Sequence, residues 1–194
     1  MGGTPLSDST SVNTKKTHTM KKTILASILI FLFGHYSFGQ ESKTKIVTSD
    51  IDNFWIAYDA INKTTDSLER IKIIKDLYII KATEGLKGMI AAREYEDYEF
   101  VSAILNYPKY WNSIRPNTAN LIMDKEQIEQ YFAKLKEVYP ELKPTTIYFP
   151  IGVFRSAGTY HENNVLLGAE FMLANRNSDL SELPERVRKG MTDY

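Results

Sequence analysis

Of the three histidines in the chain only His161 lies beyond residue 39, and there is no cysteine. These counts narrow the chemistry before any element is placed. A catalytic zinc usually takes three protein ligands, commonly with histidine among them, so a lone His161 removes most histidine-based metal and acid/base arrangements. Without cysteine, thiolate zinc sites and thiol nucleophiles are excluded. His161 falls in a segment that reads as a strand, sharing a face with Thr159 while Tyr160 and Glu162 take the other. It reads as an edge-strand histidine near a turn. The alternatives are a substrate contact or one ligand of a site completed elsewhere.

Glu94, Glu96, Asp97 and Glu99 cluster around Tyr95 and Tyr98. Paired carboxylates can serve acid/base or calcium chemistry, but this run lacks the alternating oxygen ligands and central glycine of a calcium loop. Acidic residues gather at helix starts because the dipole favours them there, so the cluster reads as a solvated helix entrance. The aromatic group Tyr95, Tyr98, Phe100, Tyr107, Tyr110 and Trp111 could stack sugars or bases, but its helical spacing reads as packing. No lysine-bearing phosphate loop, nucleophile elbow or dinucleotide fingerprint is present.

The elements that must position these residues follow an export signal. Lys21 and Lys22 precede an apolar run from Ile24 to Phe33 and a short exit through Ser37, Phe38 and Gly39, the order of a secretory signal peptide starting at Met20. About ten apolar residues fall well short of the roughly 20 of a membrane-spanning helix. Cleavage between Gly39 and Gln40 is expected, and no cysteine follows to take a lipid. Residues 1–19 read as a leader upstream of the true initiator. The remaining 155 residues, 40–194, are expected to form one helix-rich domain. Four lysines and one aspartate fall within residues 1–39, so the balance of 24 against 24 becomes 20 basic against 23 acidic, a formal charge of −3. That balance does not favour nucleic acid. The expected location is periplasmic or extracellular.

Gln40–Thr48 reads as a flexible lead-in. Ser49 or Asp50 then caps a helix through Phe54, Trp55, Tyr58 and Ile61, and Asp66 with Glu69 opens a second one bearing Leu68, Ile71, Ile74, Leu77 and Tyr78. Shorter helices are expected over Leu86–Arg93, Asp97–Leu105 and from Pro108 to Ile114, with Arg115–Thr118 a loop because the residue before proline avoids helical angles. A long helix follows from Asp124, its cap, to Tyr139, with Ile128, Tyr131, Phe132 and Leu135 as its buried stripe. Thr145–Phe149 reads as a strand. Ala157–Glu162 and Val165–Glu170 flank Asn163 and Asn164 as a β-hairpin, and another helix begins near Glu185. The expected fold is α+β, an N-terminal helical region followed by a small antiparallel sheet with a C-terminal hairpin.

Three stretches resemble a known family. They are Phe54, Trp55, Ala57, Tyr58, Asp59; then Tyr107, Pro108, Tyr110, Trp111, Ser113, Ile114, Arg115, Pro116, Asn117, Thr118; then Ile147, Tyr148, Phe149, Ile151, Gly152, Ser156, Gly158, Thr159, Leu167, Gly168, Glu170. Their order and spacing resemble the N-terminal part of exported bacterial zinc-dependent proteases of zincin-like plan, over most of residues 50–194. In that family the hairpin precedes a helix with a His-Glu-x-x-His motif, whose histidines bind zinc and whose glutamate activates water. The 194 residues contain no such motif. The resemblance therefore implies an incomplete zincin-like domain, truncated before its metal helix and inactive by itself, with zinc belonging to a longer protein and none expected in this chain alone. It also implies that the hairpin, at Gly158, Thr159, Gly168 and Glu170, presents an edge strand to a peptide or protein substrate. Glycines let a second backbone come close, or else permit bends and bulges. Arg115 is a candidate contact to a substrate carboxylate or carbonyl, or an anchor for the loop before Pro116. The alternative is a non-catalytic exported domain that binds a peptide, glycan or partner protein.

Overall fold

Asp66 accepts the amide of Glu69 at 2.8 Å and so starts a helix where the sequence places one. The computed structural model describes residues 1–2, 44–123 and 125–192. The signal segment 20–39 and the proposed cap Asp124 lie outside the described residues. The described elements all belong to one compact unit, Ser42–Tyr194.

Strand β1 (Lys45–Val47) leads into helix α1 (Ser49–Ile61), which buries Ile51, Phe54, Trp55, Ala57, Tyr58 and Ile61. Asp50 does not cap this helix. Its buried carboxylate instead accepts the amide and hydroxyl of Thr83, and Thr83 caps α3 (Glu84–Arg93). Helix α2 (Ser67–Ile74) runs into a π-helical turn, Lys75–Ile79, that aims Tyr78 into the core. A capping box between Glu96 and Glu99 opens α4 (Asp97–Asn106), so the acidic cluster is a helix entrance. Pro108 opens α5 (Pro108–Ile114). The expected loop at 115–118 is helical: a 3₁₀ turn, Arg115–Asn117, passes into α6 (Thr118–Met123). Arg115 adopts φ −53°, ψ −43° despite the following proline, held by an ion pair with Asp59 and by the Trp55 ring. Helix α7 (Lys125–Val138) lays Ile128 and Phe132 against the core, while Tyr131 and Leu135 stay exposed, so only half of its expected stripe is covered.

The sheet corrects the expectation of a purely antiparallel one. Its order is β1, β2 (Thr146–Tyr148), β4 (Asn164–Leu167), β3 (Gly158–His161). β1 pairs parallel with β2 and β2 parallel with β4, and only β3 runs antiparallel, on β4. The expected flexible lead-in supplies β1: Ile46 is buried beside Ile147, and Val47 accepts the Phe149 amide at 3.0 Å. The hairpin turn is Glu162–Asn163 rather than Asn163–Asn164, since His161 pairs with Asn164, and Glu162 takes φ 54°. Short helices α8 (Ala169–Met172) and α9 (Glu185–Thr192) follow.

The core is aromatic. Phe54 lies 4.8 Å from Trp111 and 5.6 Å from Tyr78 between ring centroids, and Phe154 lies 5.1 Å from Trp111. Each such pair adds about 0.5–1.5 kcal/mol beyond the burial of its area. Most of the aromatic group singled out from the sequence is this core; Tyr98 stands exposed outside it.

Candidate functional site

Residues 149–157 form a strap between β2 and β3 that has no regular strand neighbour, so its backbone needs other partners. Side chains supply several of them. The Tyr78 hydroxyl donates to the Ile151 carbonyl at 2.6 Å and accepts the Ile151 amide at 2.9 Å. Glu170 takes the amides of Gly152 and Phe154, with Oε2 accepting from Gly152 at 2.9 Å and Oε1 from Phe154 at 3.4 Å. Ala169 donates to the Pro150 carbonyl, Gly168 donates to that of Ala157, and the Tyr110 hydroxyl donates to the carbonyl of Glu170. Gly152 is required by close approach: an added Cβ would stand 2.7 Å from Glu170 Oε1 and 3.1 Å from Tyr95 Oη. Phe154 holds φ 61°, a left-handed conformation uncommon outside glycine, while its ring is clamped by Tyr107, Tyr110, Trp111 and Phe171.

The strap delivers the chain into β3, which lies at one end of the sheet. The bond from the Gly168 amide to the Ala157 carbonyl sets the antiparallel alternation. Thr159 and His161 therefore aim their backbone groups at β4, and Gly158 and Tyr160 aim theirs away from it, along the sheet's outer edge. The faces are equally defined. The His161 imidazole and Leu166 reach Gly88 of α3, where an added Cβ would be 3.0 Å and 3.3 Å from them, so Thr159 and His161 share the face that rests on α3. The opposite face carries Gly158, Tyr160, Val165 and Leu167. Beside it opens a cleft of about 770 Å³, lined by Gly158 and Leu167 and by Phe171, Met172, Leu180 and Met191. Met172 is 43% exposed in this cleft, and Tyr160 is 63% exposed on the same face of the sheet as Gly158.

Four of the five predicted site residues therefore gather at the hairpin base, in different roles. Gly158 lines the cleft and lies against the Leu166 carbonyl, which an added Cβ would approach to 3.1 Å. Thr159 is half-buried opposite Leu166. Gly168 leaves room for the Ser156 carbonyl. Glu170 is wholly buried, and burial pushes its carboxyl up to about 7 against the pull of the amides it accepts. Arg115 belongs elsewhere, bound to α1 through a two-pronged pair with Asp59 at 2.6 and 2.8 Å and stacked 5.0 Å over Trp55. That pair holds the Asp59 carboxyl below its ordinary range.

Sequence reasoning missed Tyr78, whose helical spacing looked like ordinary core, and the cleft residues Phe171, Met172, Leu180 and Met191, which carry no motif. It also missed the Tyr95 hydroxyl, buried against Gly152 with no hydrogen-bond partner among the described residues. Among the described residues no group of three or more His, Cys, Asp or Glu side chains is placed to hold a metal ion. His161 and Glu162 open a His-Glu pair, but they sit on a strand end and a turn, with Val165 where a second histidine would be needed. These residues do not fit a zinc centre, and no chemical step is derived through one. No protein-family model, curated protein or solved structure matches the chain.

Proposed function

We propose that this chain recognises an extended peptide by strand addition along the outer edge of β3, as the substrate strand of an exported, zincin-like zinc peptidase. The observation that carries this reading is the placement of β3: among the described residues it ends the sheet, it turns the Gly158 amide and both backbone groups of Tyr160 outward while the Gly158 carbonyl accepts the Ser156 hydroxyl at 2.8 Å, and it borders a largely apolar cleft. Main-chain bonds to the edge supply affinity and alternate side chains entering a pocket supply selectivity. The cleft lining fits a large apolar side chain such as leucine, phenylalanine or methionine. Export follows the signal read at Met20–Gly39, and zinc enters through the resemblance alone, so recognition rather than bond cleavage is assigned to these residues.

The test is peptide binding by the full chain, with a short extended peptide carrying a central leucine, compared between the natural protein and Tyr160→Pro. Proline on an edge strand with its nitrogen facing outward is compatible with the sheet but cannot donate. Binding is expected to fall at least about tenfold while thermal unfolding is unchanged. Equal affinity in the variant, or no binding by either protein, rejects the reading. Hydrolysis of the same peptide with added zinc separates the peptidase from a non-catalytic exported binding domain, which would use the same edge. N-terminal sequencing of protein recovered from outside the cytoplasm tests export, with Gln40 the expected first residue.

A further inference from the structure

Glu170 is a buried carboxylate that, among the described residues, bonds to no cation. Its two oxygens are not equivalent. Oε2 makes the shorter bond, to Gly152, while Oε1 makes the longer one, to Phe154, and lies on the side of Gly152 where the Tyr95 hydroxyl also arrives. That hydroxyl is 6% exposed as a residue, has no hydrogen-bond partner among the described residues, and can accept a proton as well as donate one. Phe154 is held in a left-handed conformation, and its amide bonds only to Oε1. Such conformations persist where the surroundings enforce them.

We propose that Glu170 is a proton-operated latch on the strap: as a carboxylate it grips the Gly152 and Phe154 amides together. On taking a proton at Oε1 it turns that oxygen to the Tyr95 hydroxyl and releases Phe154, loosening the base of β3. The proton comes from solvent and returns to it, and no other bond is made or broken. The phenols facing Glu170 are Tyr78 from the π turn, Tyr95 from the start of α4 and Tyr110 from α5. Burial pushes all three above the ordinary tyrosine range, and the Glu170 charge adds to the effect. The Asp50 carboxylate acts on Tyr78 and is itself bonded to Thr83. Of the cations nearby, Arg155 pairs with Glu99 and lies over the Tyr95 ring, while Arg186 donates to the Phe154 carbonyl.

The latch is tested on the full chain by NMR between about pH 5 and about pH 9. The Glu170 carboxyl carbon and the Phe154 amide should titrate together with a midpoint near 7. Charge-assisted bonds are roughly twice as strong as neutral ones, so protection of the Phe154 amide should fall about tenfold on the acid side while that of Gly152 changes less. Glu170→Gln should abolish the transition, and Tyr95→Phe should lower its midpoint by removing the acceptor for the proton. A Glu170 carboxyl that titrates below pH 5, a Phe154 amide that does not follow it, or a midpoint raised by Tyr95→Phe overturns the latch. Only the consequence for peptides rests on the function proposed above: affinity for the leucine peptide should drop on the acid side in the natural protein and not in Glu170→Gln. Absence of peptide binding at every pH rejects that function, and the NMR titration then decides the latch independently.

Discussion

The aromatic core around α1, α4 and α5 and the strap that feeds β3 solve the same problem in opposite ways. In the core, backbone groups satisfy one another within helices and the side chains are free to pack, as Phe54, Trp111 and Phe100 do. In the strap, Ile151, Gly152 and Phe154 lack strand partners, and Tyr78 and Glu170 supply their bonds from elements 73, 18 and 16 residues away. The first arrangement yields stability that tolerates conservative repacking. The second holds one particular backbone path, and it is concentrated beside β3, which ends the sheet among the described residues.

That contrast can be broken most forcefully from the core side. Trp111→Ala removes a fully buried ring that donates to the Ala103 carbonyl at 2.8 Å, and should lower unfolding stability by about 3–5 kcal/mol in urea titrations. A smaller loss would mean that the rings are not the main support.

The strap should show itself in pH dependence. The Glu170 carboxyl moves from its ordinary 4.5 up to about 7 on folding, so between these values the folded chain holds a proton that the unfolded chain has lost. Its contribution is complete below about 4.5 and disappears as pH rises through 7, roughly 3 kcal/mol at 1.36 kcal/mol per pH unit. Unfolding measured across this window should lose that slope in Glu170→Gln. An identical slope in the variant would show that the carboxyl is not buried as described. Tyr78→Phe comes next: it leaves packing intact but strips both bonds from Ile151, and should cost about 1–3 kcal/mol by the same assay. The smallest effect belongs to the surface. Arg115→Lys weakens a pair with Asp59 whose side chains are 41% and 46% exposed, and should change stability by less than about 1 kcal/mol, with peptide binding unaltered.

What the sequence made legible divides along the same line. Helix starts with local signals were readable, as with the pair Asp66 and Glu69, the acidic entrance to α4 and the proline opening α5, although the capping box between Glu96 and Glu99 was not singled out. The hairpin was readable, but its turn was displaced by one residue. The tolerance of Asn163 and Asn164 for positive φ is a local signal, whereas the register is set by burying Leu166 opposite Thr159, and a slip of one residue would turn Leu166 to the other face. β1 was hidden because three residues show no periodicity, and its pairing with β2 spans about a hundred residues of chain. Asp50 resembled a cap and is not one: its carboxylate anchors Thr83, and Thr83 caps the helix that follows. The hairpin that brings Gly158, Thr159 and Gly168 together was readable from its strand residues and turn, but its second strand, expected to reach Glu170, ends at Leu167 and Glu170 sits in α8; the burial of Glu170 and the separation of Arg115 depend on tertiary contacts that no short pattern records.

The central claim, that the outer edge of β3 is a peptide-binding strand, is tested most directly by amide hydrogen exchange of the full chain with and without saturating leucine peptide. Strand addition predicts new protection at Gly158 and Tyr160, whose amides face outward, and little change at Thr159 and His161, whose amides already face β4. Protection that appears equally at all four, or only at cleft residues such as Phe171 and Met172 with none at Gly158 and Tyr160, would contradict it.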